Sequence, residues 1–249
     1  MRLLHYNILN GFEGRPDRIG AFTDYLSKQS YDLLALNEYR LEDHGLRRQL
    51  ETIGYCHQIV NTTALPANRS AFFSRHPFEP LSVDKALRLV RIGIDGLELV
   101  SYHASPHGVE AVLQEADRLL SLLRESRNVV VMGDFNSLSR RDEARFRYNP
   151  STIRPRYLHA GTVSYDFIER LESHHFVDLD DDGSSDNRSI PTAIARPEEH
   201  DQPARLDYAF ARFDENHGGT SRVLREPCFD LLSDHYPVAI SIDGPTVRA

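Results

Sequence analysis

The sequence predicts an α/β protein in which a mixed β-sheet system is covered by helices on the outside. Three observations support this fold class. Short apolar runs alternate with segments whose apolar residues recur at three and four, and a hairpin-type turn joins two of the runs. A chain of 249 residues is long enough for a sizeable core. Because no break in composition interrupts it, we expect one domain over residues 1–249.

The first half of the chain combines strands with two amphipathic helices. Strands are predicted at 3–9, 32–36, 71–74, 87–94 and 97–103. One helix begins at Pro16, a residue typical of a first helical turn, and a second helix ends at Gly54. Asp95 and Gly96 are typical of a two-residue hairpin turn, which predicts that the strands on either side pair with each other.

The second half contains the most regular helical pattern of the chain. Between Val109 and Leu123 the apolar residues recur at three and four, which predicts an amphipathic helix. The apolar strand Val129–Met132 follows directly. A further helix is predicted at 164–174, and strands are predicted at 206–211, 222–224 and 236–242.

Composition favours a soluble protein that binds neither membranes nor duplex nucleic acid strongly. Hydrophobic residues make up 40% of the chain, and 29 basic against 37 acidic residues give a net charge of -8 and a pI of about 5.8. Cys56 and Cys228 lack metal-ligand spacing, which is typical of a reducing compartment. No signal-peptide pattern and no apolar run of membrane-spanning length is present. We expect a cytoplasmic protein with no membrane partner, and no protein partner is indicated.

Polar residues follow the apolar strands at the points where the strands end. After Val129–Met132, Asp134 and Asn136 come on alternate positions. If the chain is still extended there, both side chains lie on the same side and can reach one substrate atom. Glu38 and His103 stand at the ends of two other predicted strands. The pattern predicts a polar rim at one edge of the sheet system.

The residue types in this rim suit the hydrolysis of a phosphate ester. Glu38 can bind a hard divalent cation such as Mg²⁺, which takes one or two carboxylates and keeps several waters. Asp134 can orient or deprotonate a water, and Asn136 can fix that water or a phosphate oxygen. Two imidazoles, His103 and His235, can stabilise charge on the phosphoryl group.

Six segments also resemble the ordered motifs of the endonuclease/exonuclease/phosphatase superfamily, and they span nearly the whole chain. They are Tyr6-Asn7-Ile8, Leu36-Asn37-Glu38, His103, Gly133-Asp134-Phe135-Asn136-Ser137, Arg205-Leu206-Asp207-Tyr208 and Ser233-Asp234-His235. The resemblance implies a DNase I-like four-layer sandwich, with two packed mixed sheets and helices on both outer faces.

The resemblance further implies a metal site. Glu38 would be the principal ligand of Mg²⁺, with Mn²⁺ as a substitute, Asn7 would lie beside it and Asp234 would lie close to the metal. Without the ordered motifs, Asn7 is better interpreted as a turn cap, and Asp207 as an ion-pair partner, for instance of Arg205.

For the reaction itself, the resemblance implies roles at the water and at the phosphate. Asp134 would handle the attacking water, and Asn136 would contact the water or the phosphate. His103 and His235 would hold the phosphate, and Asp207 would orient His235. The motifs leave open whether Asp134 or His235 is the base.

Departures from the family pattern bear on the substrate. Asn37 replaces the usual Gln, Leu9 stands where the apurinic-site nucleases carry an acidic residue, and the chain has no Trp. These differences disfavour a DNA-repair enzyme. We expect a Mg²⁺-dependent phosphodiesterase or nuclease that acts by in-line water attack on a small molecule or a nucleic-acid end. The alternatives are a phosphomonoesterase acting on a small metabolite or nucleotide, and an inactive module that binds a phosphate ligand.

Two segments of the sequence are strongly charged. Six arginines lie within 17 residues, namely Arg140, Arg141, Arg145, Arg147, Arg154 and Arg156. They form either a solvated surface helix or a lid that binds further phosphates, with Arg145 and Arg147 as the candidate substrate contacts. The acidic segment 178–187 resembles the start of a calcium loop but has Ser189 where a bidentate Glu is required, so we expect a solvated loop.

Overall fold

Two six-stranded mixed sheets lie at the centre of the computed structural model, which describes residues 1–41, 44–62, 69–180, 186–198, 200, 202–214 and 217–244. The first sheet has the order β13-β14-β1-β2-β4-β3, with β1 (Arg2–Asn7), β2 (Leu33–Asn37), β3 (His57–Val60), β4 (Ala71–Ser74), β13 (Gly218–Val223) and β14 (Val238–Asp243). The second has the order β11-β12-β8-β7-β6-β5, with β5 (Glu79–Asp84), β6 (Leu89–Ile94), β7 (Leu97–His103), β8 (Val129–Asp134), β11 (Val177–Asp178) and β12 (Asp207–Arg212). Two further strands, β9 (Leu158–His159) and β10 (Thr162–Val163), form a small hairpin.

Helices cover the outer face of each sheet. They are α1 (Pro16–Ser27), α2 (His44–Thr52), α3 (Val109–Leu122), α4 (Glu143–Phe146) and α5 (Asp166–Ser173), besides a single turn at Leu9–Phe12 and 3-10 turns at Arg140–Asp142, Pro155–Tyr157 and Pro227–Leu231. One apolar cluster joins α1 and α2 to the first sheet, and another joins α3 and α5 to the second. A third cluster fills the space between the sheets. The predicted four-layer α/β sandwich is therefore confirmed.

Strand β8 shows how the sequence pattern produces these layers. Val129 and Val131 pack towards the helices, whereas Val130 and Met132 pack towards the first sheet. Both faces of the strand are buried, so the run is continuously apolar instead of alternating. Each such side chain stabilises the fold by about 1.5–3 kcal/mol relative to an exposed position. The end of β8 is thereby held between the two sheets.

Every predicted helix and strand overlaps an observed one, with ends shifted by a few residues. Strands β3, β5, β9, β10 and β11 were not predicted. Strand β3 lies at the edge of its sheet, β5 is largely exposed and has little apolar pattern, and the other three have only two residues each. Cys56 and Cys228 are unpaired and exposed, as expected. Among the described residues, every helix is too short or too polar to cross a membrane.

Candidate active site

Strand register places three of the predicted site residues side by side. In the second sheet, Asp134 of β8 is directly opposite His103 of β7 and Asp207 of β12. All three side chains are buried. The preceding Gly133 is required by the same arrangement, because a Cβ there would lie 1.7 Å from the carbonyl oxygen of Tyr102. This glycine lets the backbone of β7 approach the residue before Asp134.

The first sheet contributes the residues on the opposite side. Asn7 of β1 pairs in register with Asn37 of β2, and Glu38 follows at once. The Asn37 side-chain oxygen accepts a hydrogen bond of 2.9 Å from the backbone N–H of Asp134, which ties the two sheets together. The Asn7 side-chain NH₂ faces both Asp134 Oδ2, at 3.1 Å, and Glu38 Oε1, at 3.3 Å.

The orientation of the Asn7 carboxamide differs from the expectation that Asn7 lies beside the metal as a ligand. Its oxygen accepts from the N–H of Leu9 at 3.2 Å, and its nitrogen faces the two carboxylates. An amide NH₂ is a donor and cannot coordinate a cation. In this arrangement Asn7 holds the carboxylates of Glu38 and Asp134 in place.

A left-handed helical turn runs beside Glu38. Leu9, Asn10, Phe12 and Glu13 all have φ between 41° and 55°, and the glycines at 11 and 14 are at 69° and 68°. The N–H of Asn10 donates to Glu38 Oε2 at 2.8 Å. Glu38 itself has φ 60°. The segment therefore presents a backbone donor to Glu38 in a conformation that L-residues rarely adopt.

One carboxylate, Asp207, lies between two imidazoles beneath the pocket. His235 Nδ1 is 2.6 Å from Asp207 Oδ2, and His5 Nε2 is 2.9 Å from Asp207 Oδ1. Burial alone would raise the pKa of the Asp207 carboxyl, but His235 and His5 hold that pKa below its usual range. An ionised carboxylate only accepts hydrogen bonds, so both imidazoles donate to it. Asp207 thus lies next to His235, where it can orient the ring.

Two imidazoles approach the outer oxygen of Asp134. His103 Nε2 lies 3.6 Å and His235 Nε2 lies 3.7 Å from Asp134 Oδ2. Burial lowers the pKa of His103 to about 4, against the opposing effect of Asp134, so this ring is neutral at pH 7. Burial acts in the same direction on His235, but the carboxylates of Asp207 and Asp134 outweigh it and raise the pKa of His235.

The backbone at Asn136 is not in the extended conformation on which the prediction from alternating positions depended. Strand β8 ends at Asp134, and Asn136 has φ 44°, so the chain is not extended there. Its backbone N–H donates to Asp134 Oδ1 at 2.9 Å, and its side-chain nitrogen donates to the carbonyl oxygen of Ala104 at 3.1 Å. Asn136 lines the same pocket as Asp134, and its side-chain oxygen is its remaining polar atom.

These residues line a pocket of about 320 Å³. Its walls are formed by Leu9, Asn10, Glu13, Glu38, His103, Pro106, Asp134, Asn136, Arg156, Arg196, His200, Asp234 and His235. Arg145 and Arg147 do not line it, so the structure does not support them as substrate contacts. Arg145 instead lies 3.7 Å from Asp142, within the arginine-rich segment.

Three charged or titratable residues of the pocket were not among the site residues predicted from the sequence. Arg156, at the end of the arginine-rich segment, has its guanidinium 4.9 Å from the ring centroid of Tyr157. Arg196 pairs with Glu13 at 3.3 Å across the mouth of the pocket. His200 Nε2 lies 3.3 Å from Asp234 Oδ2. His200 and Arg196 lie outside the six motifs, and no local pattern distinguishes them.

Arg205 and the first residue of the acidic segment form a buried ion pair. Arg205 does not pair with Asp207; it is buried and bonds to Asp142 at 2.9 Å and to Asp178 at 2.6 Å. Asp178 is 7% exposed, so the start of the segment is a buried ion-pair partner instead of a solvated loop. Residues 181–185 of that segment lie outside the described residues.

The carboxylates of the pocket fit a divalent cation. Burial raises the pKa of Glu38 to about 7, and the neighbouring carboxylate of Asp234 adds to the effect. Burial also acts to raise the pKa of Asp234, but His200 and then His235 lower it to about 2. A carboxylate whose charge is disfavoured by burial and by a neighbouring carboxylate is a donor that a hard cation stabilises.

The comparisons with known proteins identify the class of protein to which this fold belongs. Residues 4–235 match the model of the Endonuclease/Exonuclease/phosphatase family. The chain therefore belongs to this family. Nucleases and phosphatases both hydrolyse phosphoester bonds, which places the protein among the phosphoester hydrolases.

Solved structures similar to this chain share its fold along nearly the whole length. An AP endonuclease from Archaeoglobus fulgidus is 17% identical, with a TM-score of 0.74 and 98% and 99% of the two chains covered. A 3'-5' exonuclease from Neisseria meningitidis is 16% identical, with a TM-score of 0.69 and 98% and 100% coverage. A family protein from Leptotrichia buccalis is 17% identical, with a TM-score of 0.65 and 98% and 99% coverage. No curated protein sequence matches the chain.

Proposed function

We propose that the protein is a divalent-metal-dependent phosphodiesterase that acts on small phosphodiesters or on nucleic-acid ends, with Mg²⁺ as the ion and Mn²⁺ as a substitute. One observation carries this proposal: Asp134 Oδ2 is surrounded by Asn7, His103 and His235, and Glu38 lies on the opposite side of Asn7. This arrangement brings the carboxylate that we assign to the attacking water close to the carboxylate that we assign to the metal, in a single pocket.

Glu38 and Asp234 are the residues that would hold the cation. When bound, the ion would polarise a phosphoryl oxygen and neutralise charge on it. Asn7 and the N–H of Asn10 fix the Glu38 carboxylate, so its oxygens are positioned before any ligand arrives.

Asp134 is the group that we assign to the attacking water. His235 is a weaker candidate for the base, because its raised pKa keeps the ring protonated around neutral pH. Asp134 orients the water through Oδ2 and accepts its proton during in-line attack. His235 then donates from Nε2 to the phosphoryl oxygens, and Asp207 keeps its ring in that orientation.

The pocket favours a small or terminal phosphoester over an internal stretch of duplex. Its volume of about 320 Å³ is near the lower limit for small-molecule sites. Arg156 and Arg196 are the cationic wall residues, and they are placed to contact a substrate anion beside the scissile phosphate. The net charge of -8 disfavours a long-range attraction to nucleic acid.

A substrate screen with one substitution tests the proposal. Phosphodiesters, phosphomonoesters, single strands and duplexes are incubated with Mg²⁺, with Mn²⁺ or with EDTA. We expect the phosphodiesters to be hydrolysed fastest, and Asp134→Asn to lower kcat by about 10²–10⁴-fold, the contribution usual for a positioned base. Exposed Asp117→Asn is the control. Hydrolysis that survives EDTA, or an unchanged kcat in Asp134→Asn, would refute the proposal.

A further inference from the structure

A cluster of three side chains at one end of the pocket has the composition of a transition-metal site. His200, Asp234 and His235 each offer a ligand atom, and these atoms all lie within 4.8 Å of one another. The side chains are 8%, 7% and 3% exposed. Within the described residues, this is the group of three His, Cys, Asp or Glu side chains whose spacing suits a shared ion, and Glu38 is not part of it.

The donor set favours zinc over magnesium. Two imidazole nitrogens and one carboxylate oxygen suit Zn²⁺ and similar ions, whereas Mg²⁺ prefers oxygen ligands alone. A tetrahedral site with bonds of about 2.0–2.1 Å has ligand atoms roughly 3.3 Å apart. The His200 Nε2 to Asp234 Oδ2 distance is 3.3 Å. Three protein ligands leave a fourth position open, as in exchangeable zinc sites.

The backbone fixes His200 relative to the other two ligands. Thr192 Oγ1 donates to the carbonyl oxygen of Ser233 at 2.5 Å, and the Thr192 N–H donates to the carbonyl oxygen of Asp234 at 3.3 Å. The N–H of His200 donates to the carbonyl oxygen of Arg196 at 2.9 Å. The segment that delivers His200 is therefore anchored on the same turn that carries the other ligands.

The third ligand is oriented by a carboxylate on its far side. His235 donates from Nδ1 to Asp207, so Nε2 is the nitrogen that faces the pocket. A carboxylate bound to the second nitrogen of a histidine is the usual arrangement behind zinc-binding imidazoles. Since Asp207 accepts this bond without any ion present, the ring already has the required orientation, and an ion has only to replace the proton on Nε2.

We propose that His200, Asp234 and His235 form an inhibitory site for Zn²⁺ or a similar nitrogen-preferring ion, which shares Asp234 with the proposed Mg²⁺ position but not Glu38. An ion bound there occupies His235 Nε2, through which His235 would contact the phosphoryl group, and it also engages Asp234. Hydrolysis stops while the ion is bound. The inhibition rests on the proposed function, whereas the binding itself does not.

Zinc binding is measured directly by calorimetry on the metal-free protein, with and without saturating Mg²⁺. We expect His200→Gln to weaken Zn²⁺ binding at least ~10-fold and to weaken Mg²⁺ binding much less, because Glu38 is untouched. Exposed His57→Gln in β3 is the matched control and should bind Zn²⁺ as the wild type does. Equal Zn²⁺ affinity in the wild type and His200→Gln would overturn the proposal.

A spectroscopic readout needs no substitution and covers the case in which a variant fails to fold. Co²⁺ added to wild-type protein should give the intense visible absorption of a four-coordinate ion, and Zn²⁺ should displace it. The weak spectrum of six-coordinate Co²⁺ would overturn the assignment. In the activity assay, Zn²⁺ should inhibit the Mg²⁺-loaded wild type and inhibit His200→Gln at least ~10-fold less. Without any hydrolysis the proposed function fails, yet the binding result still decides the zinc site.

Discussion

Replacing Glu38 by Gln is expected to stabilise the metal-free protein at pH 8 and to abolish its response to Mg²⁺. Burial and the carboxylate of Asp234 raise the pKa of Glu38 to about 7 in the folded protein, from an ordinary value of 4.5. Between these two values the folded protein keeps a proton that the unfolded chain releases. The free energy of unfolding therefore falls as the pH rises from about 4.5, and the loss is complete above about 7.

The expected loss of stability follows from the difference between the two pKa values of Glu38. At about 1.4 kcal/mol per pH unit, the shift from 4.5 to about 7 corresponds to about 3 kcal/mol. Glu38 is partly exposed in the wall of the pocket, so solvent screening reduces the effect towards about 2 kcal/mol. Glu38→Gln keeps the shape of the side chain and has no charge to bury. The free energy of unfolding of Glu38→Gln, relative to that of the wild type, should therefore rise by this amount when the pH is changed from 5 to 8.

Urea unfolding in EDTA gives the free energy of unfolding of the variant and of the wild type at pH 5 and at pH 8. The difference between the two proteins at pH 8 is then compared with their difference at pH 5. Glu125→Gln, whose side chain is 87% exposed, should show no such change. Mg²⁺ at 100 times its Kd should then stabilise the wild type by about 2.7 kcal/mol and leave Glu38→Gln unaffected. The same pH dependence of stability in the wild type and in Glu38→Gln would show that ionisation of Glu38 does not destabilise the folded protein.

Three further substitutions test other parts of the site. Gly133→Ala should destabilise the protein by at least about 3 kcal/mol in urea unfolding, because its Cβ would meet a backbone oxygen that cannot move away; a loss below 1 kcal/mol would contradict this. Arg156→Ala should raise KM by about 10-fold or more with little change in kcat, whereas Arg145→Ala should leave both constants unchanged; equal effects would contradict the pocket assignment. His5→Leu should cost about 1–3 kcal/mol of stability by leaving one oxygen of Asp207 buried without its donor, and unaltered stability would show that this bond is dispensable.

The parts of the fold that the sequence predicted are those with a local physical cause. Helix α3 and strand β8 were predictable because burial of one helix face, or of both strand faces, imposes a pattern on consecutive residues. Strand β5 has little such pattern, because most of its side chains are exposed. Its place in the sheet is determined by pairing with β6, a tertiary effect.

The same distinction explains which site residues were found. Asp134 and Glu38 stand at the ends of apolar strands, and that position marks them in the sequence. His5 lies inside a strand, where it is indistinguishable from a core residue until its bond to Asp207 is seen 202 positions away. His200 belongs to an irregular segment with no periodicity. The clustering of arginines marked the segment 140–156 as a candidate for substrate binding, but it could not show which arginine lines the pocket. The structure shows that Arg156, and not Arg145, does so.

Backbone strain is concentrated at this pocket, and the pattern argues for a binding role. Five wall residues, Leu9, Asn10, Glu13, Glu38 and Asn136, are non-glycine residues with left-handed φ. The left-handed conformation costs roughly 1–2 kcal/mol for each such residue, so stability alone would not retain it. In two of these residues the strained backbone turns an N–H towards a carboxylate: Asn10 donates to Glu38, and Asn136 donates to Asp134. Because those two carboxylates are the proposed ligands of metal and water, the strain keeps their oxygens oriented before substrate binds. Holding two acidic groups in this way does not stabilise the fold, so the arrangement is better explained by ligand binding.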